Sequence, residues 1–304
     1  MHLINLRMKF TKKIILLFIG FILSCQSSIQ IDQSENIDLP TGYFQTSYGR
    51  IAYYIQGKGT NLVLLHAAGH DHKDFDAILP ELIKRYRVIS IDWPGHGNSI
   101  WTNEKEISAT AFPALLKEFL EGKEIKNSII LGNSVGGYSA LQLAIDNPKL
   151  VKALILVDTG GMNDLDLFSK AFITLKSYRW FTYFIWNKFP SYYMKVENEY
   201  TQLILHRIQK LKENKLAIQT NSSIWKSFLD ENYNLRGLVS KIKQPTLIIW
   251  GSKDPVIHPR FGIELQDLIK NSELKTMEVG HLPFAENPDE FMNLLTDFLI
   301  QKNL

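Results

Sequence analysis

The chain has 304 residues, 45% hydrophobic and 21% charged, enough apolar material for one α/β domain with an insertion. Its formal charge of +3 rests on Arg7, Lys9, Lys12 and Lys13, which stand in an acid-free amino-terminal stretch; without those four charges the remainder carries −1. That balance excludes a nucleic-acid footprint, and a single cysteine, Cys25, excludes an internal disulfide framework.

The amino terminus differs from the rest. Lys9, Lys12 and Lys13 precede an apolar run from Ile14 to Leu23, too short to span a bilayer and suited to the centre of a secretion signal. Met8 is an alternative start. The run closes on Ile22-Leu23-Ser24-Cys25, which resembles the lipobox of bacterial lipoproteins. That resemblance implies a signal over residues 1–24, lipidation of Cys25 and a domain exported and anchored to a bacterial membrane on its periplasmic or cell-surface side. Leu23 is a less usual residue at its place, and an uncleaved anchor is the competing reading. Residues 25–41, polar from Gln26 to Pro40, read as a tether.

A β-hairpin is expected over Tyr43–Thr46 and Ile51–Tyr54. Apolar runs at Leu62–Leu65, Arg87–Asp92, Ser128–Leu131, Ala153–Val157 and Thr246–Trp250 read as strands buried on both faces. Helical patterns fall near residues 74–85, 108–121, 136–146 and 259–270, with another strand over Glu273–Val279 and a final helix beyond. The alternation predicts an α/β fold, a mostly parallel sheet with helices on both faces. It stops between Gly161 and Lys243. That stretch is helical in pattern and dense in aromatics: Tyr178, Trp180, Phe181, Tyr183, Phe184, Trp186, Phe189, Tyr192 and Tyr193. Placed after a strand ending in Asp158, such an insertion is expected to cover the carboxyl ends of the strands. The division expected is therefore a core of residues 42–160 and 244–304 with a helical cap over 161–243.

Gly132-Asn133-Ser134-Val135-Gly136-Gly137 joins a strand to a helix, so Ser134 sits on a sharp turn that lifts its hydroxyl clear of both elements. The turn is sterically possible only if the residues two before and two after are tiny, and both are glycine. A phosphate loop would need a different glycine spacing or a Gly-Lys-Ser/Thr ending. A serine nucleophile also needs a base and an acid that orients it. His281, in Gly280-His281-Leu282-Pro283 after a strand-like run, is the candidate base. Two strand-end carboxylates compete as the acid: Asp254, in Gly251-Ser252-Lys253-Asp254-Pro255, and Asp158, in Val157-Asp158-Thr159. Asp254 is favoured because Pro255 fixes the chain beside it, while Asp158 has turn N–H groups to bond. His66, His70, Asp71 and His72 also invite a zinc reading, but no second ligand cluster accompanies them. No metal or cofactor is expected. His96, in a glycine-flanked turn, reads as structural.

With these residues in place the chain resembles the α/β-hydrolase superfamily of the serine-nucleophile type from about Gly42 onward. The resemblance is carried by GNSVGG, by His66-Ala67-Ala68-Gly69, by Asp92-Trp93-Pro94-Gly95-His96-Gly97-Asn98-Ser99, by WGSKDP and by GHLPFAENP. The chain order Ser134, Asp254, His281 is the one that fold requires. The resemblance implies an oxyanion hole from the backbone N–H groups of Val135 and Ala68. Ala67 departs from the glycine usual at its place. The implied activity is hydrolysis of a small or medium, apolar ester through an acyl-enzyme. Asn133 before the serine is shared with carbon–carbon bond hydrolases of ring-cleavage pathways, although Leu282 replaces their tryptophan. A non-catalytic binding lipoprotein on the same fold is the alternative of a different class.

Overall fold

The apolar runs form the centre of one sheet in the computed structural model, which describes residues 39–102, 106–162 and 164–304. Cys25, the signal-like stretch and the tether up to residue 38 lie outside the described residues. No described helix is long and apolar enough to cross a membrane.

The strands are β1 (Gly42–Thr46), β2 (Gly49–Gln56), β3 (Thr60–Leu65), β4 (Tyr86–Ile91), β5 (Ile100–Trp101), β6 (Ser128–Asn133), β7 (Val151–Val157), β8 (Thr246–Gly251) and β9 (Ser272–Met277). They lie in the order β1-β2-β4-β3-β6-β7-β8-β9, with β5 on β2. Every pair from β4 through β3, β6, β7 and β8 to β9 is parallel, and β2 pairs antiparallel with β1, β4 and β5. The fold is the expected mostly parallel α/β sheet. Strand β5 is an addition: at two residues it is too short to leave a period in the sequence.

The unbroken apolar runs have the meaning that their composition suggests. Successive strand residues enter opposite cores: Val63, Leu65, Ile130, Leu154, Leu156 and Ile248 on one side, Leu62, Leu64, Ile129, Leu131, Ile155 and Ile249 on the other. The helices of the sheet are α1 (Leu79–Leu82), α2 (Phe112–Gly122), α3 (Val135–Asp146), then α9 (Arg260–Leu268), α10 (Pro283–Glu286) and α11 (Pro288–Gln301). Helices α2 and α3 cover the first face through Phe112, Leu116, Phe119 and Leu141, and α11 covers the second through Phe291, Leu295 and Phe298. The single helix expected over residues 74–85 is instead a 3₁₀ turn, His72–Phe75, followed by the short α1. Pro80 explains the break: it has no N–H for the carbonyl four residues back, so it opens a helix and cannot continue one.

Between β7 and β8 the chain forms α4 (Leu167–Lys176), α5 (Arg179–Ile185), α6 (Lys188–Tyr193), α7 (Glu199–Lys210) and α8 (Lys215–Ser227). Inner residues of this stretch, among them Trp186, Tyr193, Ile204 and Ile208, join the second core. Tyr178, Trp180, Tyr183, Phe184 and Tyr192 face outward.

Candidate active site

Ser134 stands between β6 and α3 with φ 54° and ψ −115°, a backbone conformation that side chains other than hydrogen rarely adopt. The neighbouring glycines are obligatory. A Cβ on Gly132 would lie 2.5 Å from the Gly136 carbonyl carbon, and one on Gly136 would lie 2.3 Å from Leu65 O. Backbone bonds hold the turn on both sides: Ser134 N donates to Val157 O at 3.0 Å, and Gly160 N donates to Ser134 O at 2.9 Å.

The residue before the serine has a function that composition did not reveal. Asn133 Nδ2 donates to Val157 O (3.0 Å) and to His281 O (3.1 Å), which ties the elbow to the histidine loop beyond β9. There His281 Nδ1 lies 2.7 Å from Asp254 Oδ2, with both side chains buried. Asp254 is itself fixed, since its Oδ1 accepts from Val256 N at 2.7 Å and Ile257 N at 3.3 Å. Of the two competing carboxylates, Asp254 is therefore the one bonded to the imidazole.

Asp158 is not idle. It ends β7 with φ 41°, is fully buried, and its Oδ1 accepts from Gly251 N at 2.9 Å. Its partner is thus the end of the adjacent strand, where the sequence suggested local turn N–H groups. Burial first, and then the charge of Asp254, push the Asp158 carboxyl well above the usual range. Ligating atoms of Asp158, Asp254 and His281 lie within 4.8 Å of one another. In that group the imidazole nitrogen is already bonded to Asp254 Oδ2, and Asp158 Oδ1 and Asp254 Oδ1 already accept backbone N–H groups, so the donor set is largely spent on protein partners.

The turn after β3 presents Ala68, half-buried, and α3 begins at Val135. Among the described residues neither backbone N–H is spent on a protein acceptor. Two neutral histidines shape this turn. His66 Nδ1 donates to Ala67 O (2.7 Å) while its Nε2 accepts from Trp93 N (3.0 Å). His96 Nε2 accepts from Gly69 N (3.0 Å), and Nδ1 faces Pro94 O (3.2 Å). Burial lowers both, His96 to about 3, so neither competes for a proton. His72 pairs with Asp92 at 2.9 Å, and His70 lies between Tyr193 Oη and Asp74 Oδ2, 2.6 Å from each. Asp71 contacts Arg207 at 3.5 Å. Each member of the suspected zinc cluster thus has its own protein partner, and the histidines point to different ones.

Glu286 also escaped the sequence reading. Although buried, its carboxylate accepts from Gly280 N (2.8 Å), Leu282 N (3.0 Å), Lys195 N (2.6 Å) and Val196 N (3.0 Å). The first two flank His281, and His281 N itself donates to Tyr193 O at 3.0 Å. Only its place within GHLPFAENP hinted at this role.

The chain belongs to the α/β-hydrolase fold family, whose model, described as alpha/beta hydrolase fold, matches residues 60–288. It is similar to Lipase 3 of Moraxella sp. (strain TA144), 28% identical over 284 residues, which cover 86% of this chain and 84% of that protein. It is equally 28% identical over 246 residues to the pimeloyl-[acyl-carrier protein] methyl ester esterase of Neisseria meningitidis, covering 78% of this chain and 91% of that one. Among solved structures, an esterase from Exiguobacterium antarcticum superposes with a TM-score of 0.74 at 22% identity, over 84% of this chain and 98% of that chain. The chain is an α/β-hydrolase enzyme.

Proposed function

We propose that the protein is a serine hydrolase that cleaves a small or medium, mainly apolar ester through an acyl-enzyme. The observation that carries the reading is the 2.7 Å contact of His281 Nδ1 with Asp254 Oδ2, built on a loop that Asn133 ties to the strained turn of Ser134. In this reading Ser134 Oγ attacks the ester carbonyl and His281 Nε2 takes its proton. The Nδ1–H remains on Asp254, which fixes the tautomer and stabilises the imidazolium. The N–H groups of Ala68 and Val135 meet the charge on the tetrahedral oxygen, each contributing ~3 kcal/mol at the transition state. His281 then protonates the leaving alcohol, and water attacks the acyl-enzyme by the same route. The names of the relatives, lipase and methyl ester esterase, support an ester as substrate.

The five helices between β7 and β8 act as the cap of this site, and the amino-terminal segment delivers the domain to a membrane through a lipid on Cys25. A fluorophosphonate label tests the chemistry: the wild type reacts, and Ser134→Ala, which keeps the fold, does not. Retained labelling of that variant rejects Ser134 as nucleophile. For the anchor, Cys25→Ala should move the protein from the detergent phase to the aqueous phase, and unchanged partitioning would remove lipidation from the reading.

A further inference from the structure

A buried lysine stands near this site without a countercharge. Lys176, at the end of α4, is 3% exposed. Its Nζ donates to Asn221 Oδ1 at 2.9 Å and lies 4.7 Å from the ring centres of Phe189 and of Trp225. Among the described residues no carboxylate pairs with it, and the ammonium has further N–H groups without a protein acceptor. Lysine is almost never fully buried unless paired. Burial alone pulls this amine down to about 7.

Its surroundings connect it to the reacting groups. Asn221 leans on the oxyanion turn: a Cβ on Gly69, next to Ala68, would lie 2.5 Å from Asn221 Nδ2. On the other side Phe189 packs edge-on against Tyr193 (5.3 Å), and Tyr193 against the His281 ring (5.7 Å). Ala68, Gly69 and Phe189 are half-buried, whereas Lys176, Asn221, Trp225 and Tyr193 are buried. A cation set between aromatic faces, with one amide partner and spare donors, has the makeup of a recognition group for an anion that shields itself with an apolar stem.

We infer that Lys176, with Asn221, binds a carboxylate at the far end of the substrate, so that the preferred ester is the half-ester of a dicarboxylic acid. This rests on the hydrolase reading above and narrows its substrate class. The apolar stem of such an acyl group would lie along Phe189 and Trp225, and its carboxylate would supply the countercharge that the protein withholds.

The test compares two esters of equal chain length, p-nitrophenyl hexanoate and mono-p-nitrophenyl adipate, on wild type and Lys176→Met. Wild type should favour the adipate half-ester, chiefly in KM, and K176M should lower the adipate-to-hexanoate ratio of kcat/KM at least about tenfold, the size of one charge-assisted hydrogen bond. Both rates come from the same preparation, so a loss of folded fraction cancels in the ratio. Wild-type inhibition by adipate against hexanoate gives a second measure that needs no variant, with adipate the stronger inhibitor. A wild type that prefers the neutral ester, or a ratio that K176M leaves unchanged, overturns the inference. Fluorophosphonate labelling of the wild type separates the two levels: labelling without anion preference rejects Lys176 alone, and no labelling rejects the hydrolase reading.

Discussion

Glu286 holds His281 from both sides, its carboxylate accepting the N–H of Gly280 at 2.8 Å and that of Leu282 at 3.0 Å. The same carboxylate bonds Lys195 N and Val196 N, so one buried side chain fixes both the histidine loop and the chain leaving α6. Replacing it by glutamine puts an NH₂ group against backbone donors. Glu286→Gln should lose about 3 kcal/mol of stability, since hydrogen bonds to a charged group are the strong ones. Turnover should fall about a hundredfold in the folded fraction, as expected for a base displaced by about an ångström. Denaturant melts and kcat on the same samples check this, and an unchanged kcat would remove Glu286 from the positioning of His281.

The two carboxylates beside His281 should behave oppositely. Asp254→Asn removes the group bonded to Nδ1 and should lower turnover ~10⁴-fold with little change in shape. Asp158→Asn keeps an acceptor for Gly251 N and leaves the His281–Asp254 contact intact, so its turnover should stay within about tenfold of wild type. Infrared difference spectra should show the carbonyl stretch of a neutral carboxylic acid in wild type and lose it in Asp158→Asn. A reversed ranking of the two activities would make Asp158 the orienting acid.

Lys176 gives stability a pH dependence with a definite sign. In the fold its amine is lowered from 10.5 to about 7, which penalises the charged form. Its contribution is therefore complete above pH 10.5 and is lost progressively as pH falls toward 7. Asn221 and Trp225 of α8 and Phe189 of α6, which face it, do not titrate. Lys176→Met should stabilise the protein at pH 7, by at most about 4 kcal/mol, and flatten the rise of Tm between neutral and alkaline pH. A Tm that falls at pH 7 in this variant would contradict the burial cost.

The elbow admits no side chain at Gly136. With Leu65 O 2.3 Å from the Cβ that alanine would bring, Gly136→Ala should cost about 3 kcal/mol by overpacking and should abolish fluorophosphonate labelling. Thermal melts and labelling yield check it. A stable, fully labelled variant would mean that β3 and the elbow can separate.

What was legible in the sequence was local. The strands at Leu62–Leu65, Ser128–Leu131 and Thr246–Trp250 announced themselves because sheets covered on both faces need no polar alternation. The elbow was readable because its sterics involve residues two apart, and Asp254 and His281 because each closes a strand in a short, recognisable loop. The rest depended on partners far along the chain. What raises the Asp158 carboxyl is its burial first, and then a carboxylate in the loop after the next strand. The meaning of Glu286 comes from backbone N–H groups that no side-chain pattern advertises. Nothing local in the sequence sets Lys176 apart; its burial comes from Asn221 and Trp225 of α8 and from Phe189. Within the aromatic-rich stretch, local sequence does not separate Phe181, Trp186 and Tyr193, which are buried, from Trp180 and Phe184, which are 64% and 66% exposed.

The bonds from His281 N to Tyr193 O, and from Lys195 N and Val196 N to Glu286, tie the end of α6 to the frame that holds His281. Grafting a foreign insertion between β7 and β8 would thus not be a neutral exchange of specificity modules. A chimera cut at the strand ends would import its own geometry for the histidine. One that retains residues 193–196 and swaps only α4 and α5 would leave that frame native while exchanging the helix that carries Lys176, so the anchoring of the histidine loop and the lining around Lys176 can be altered separately.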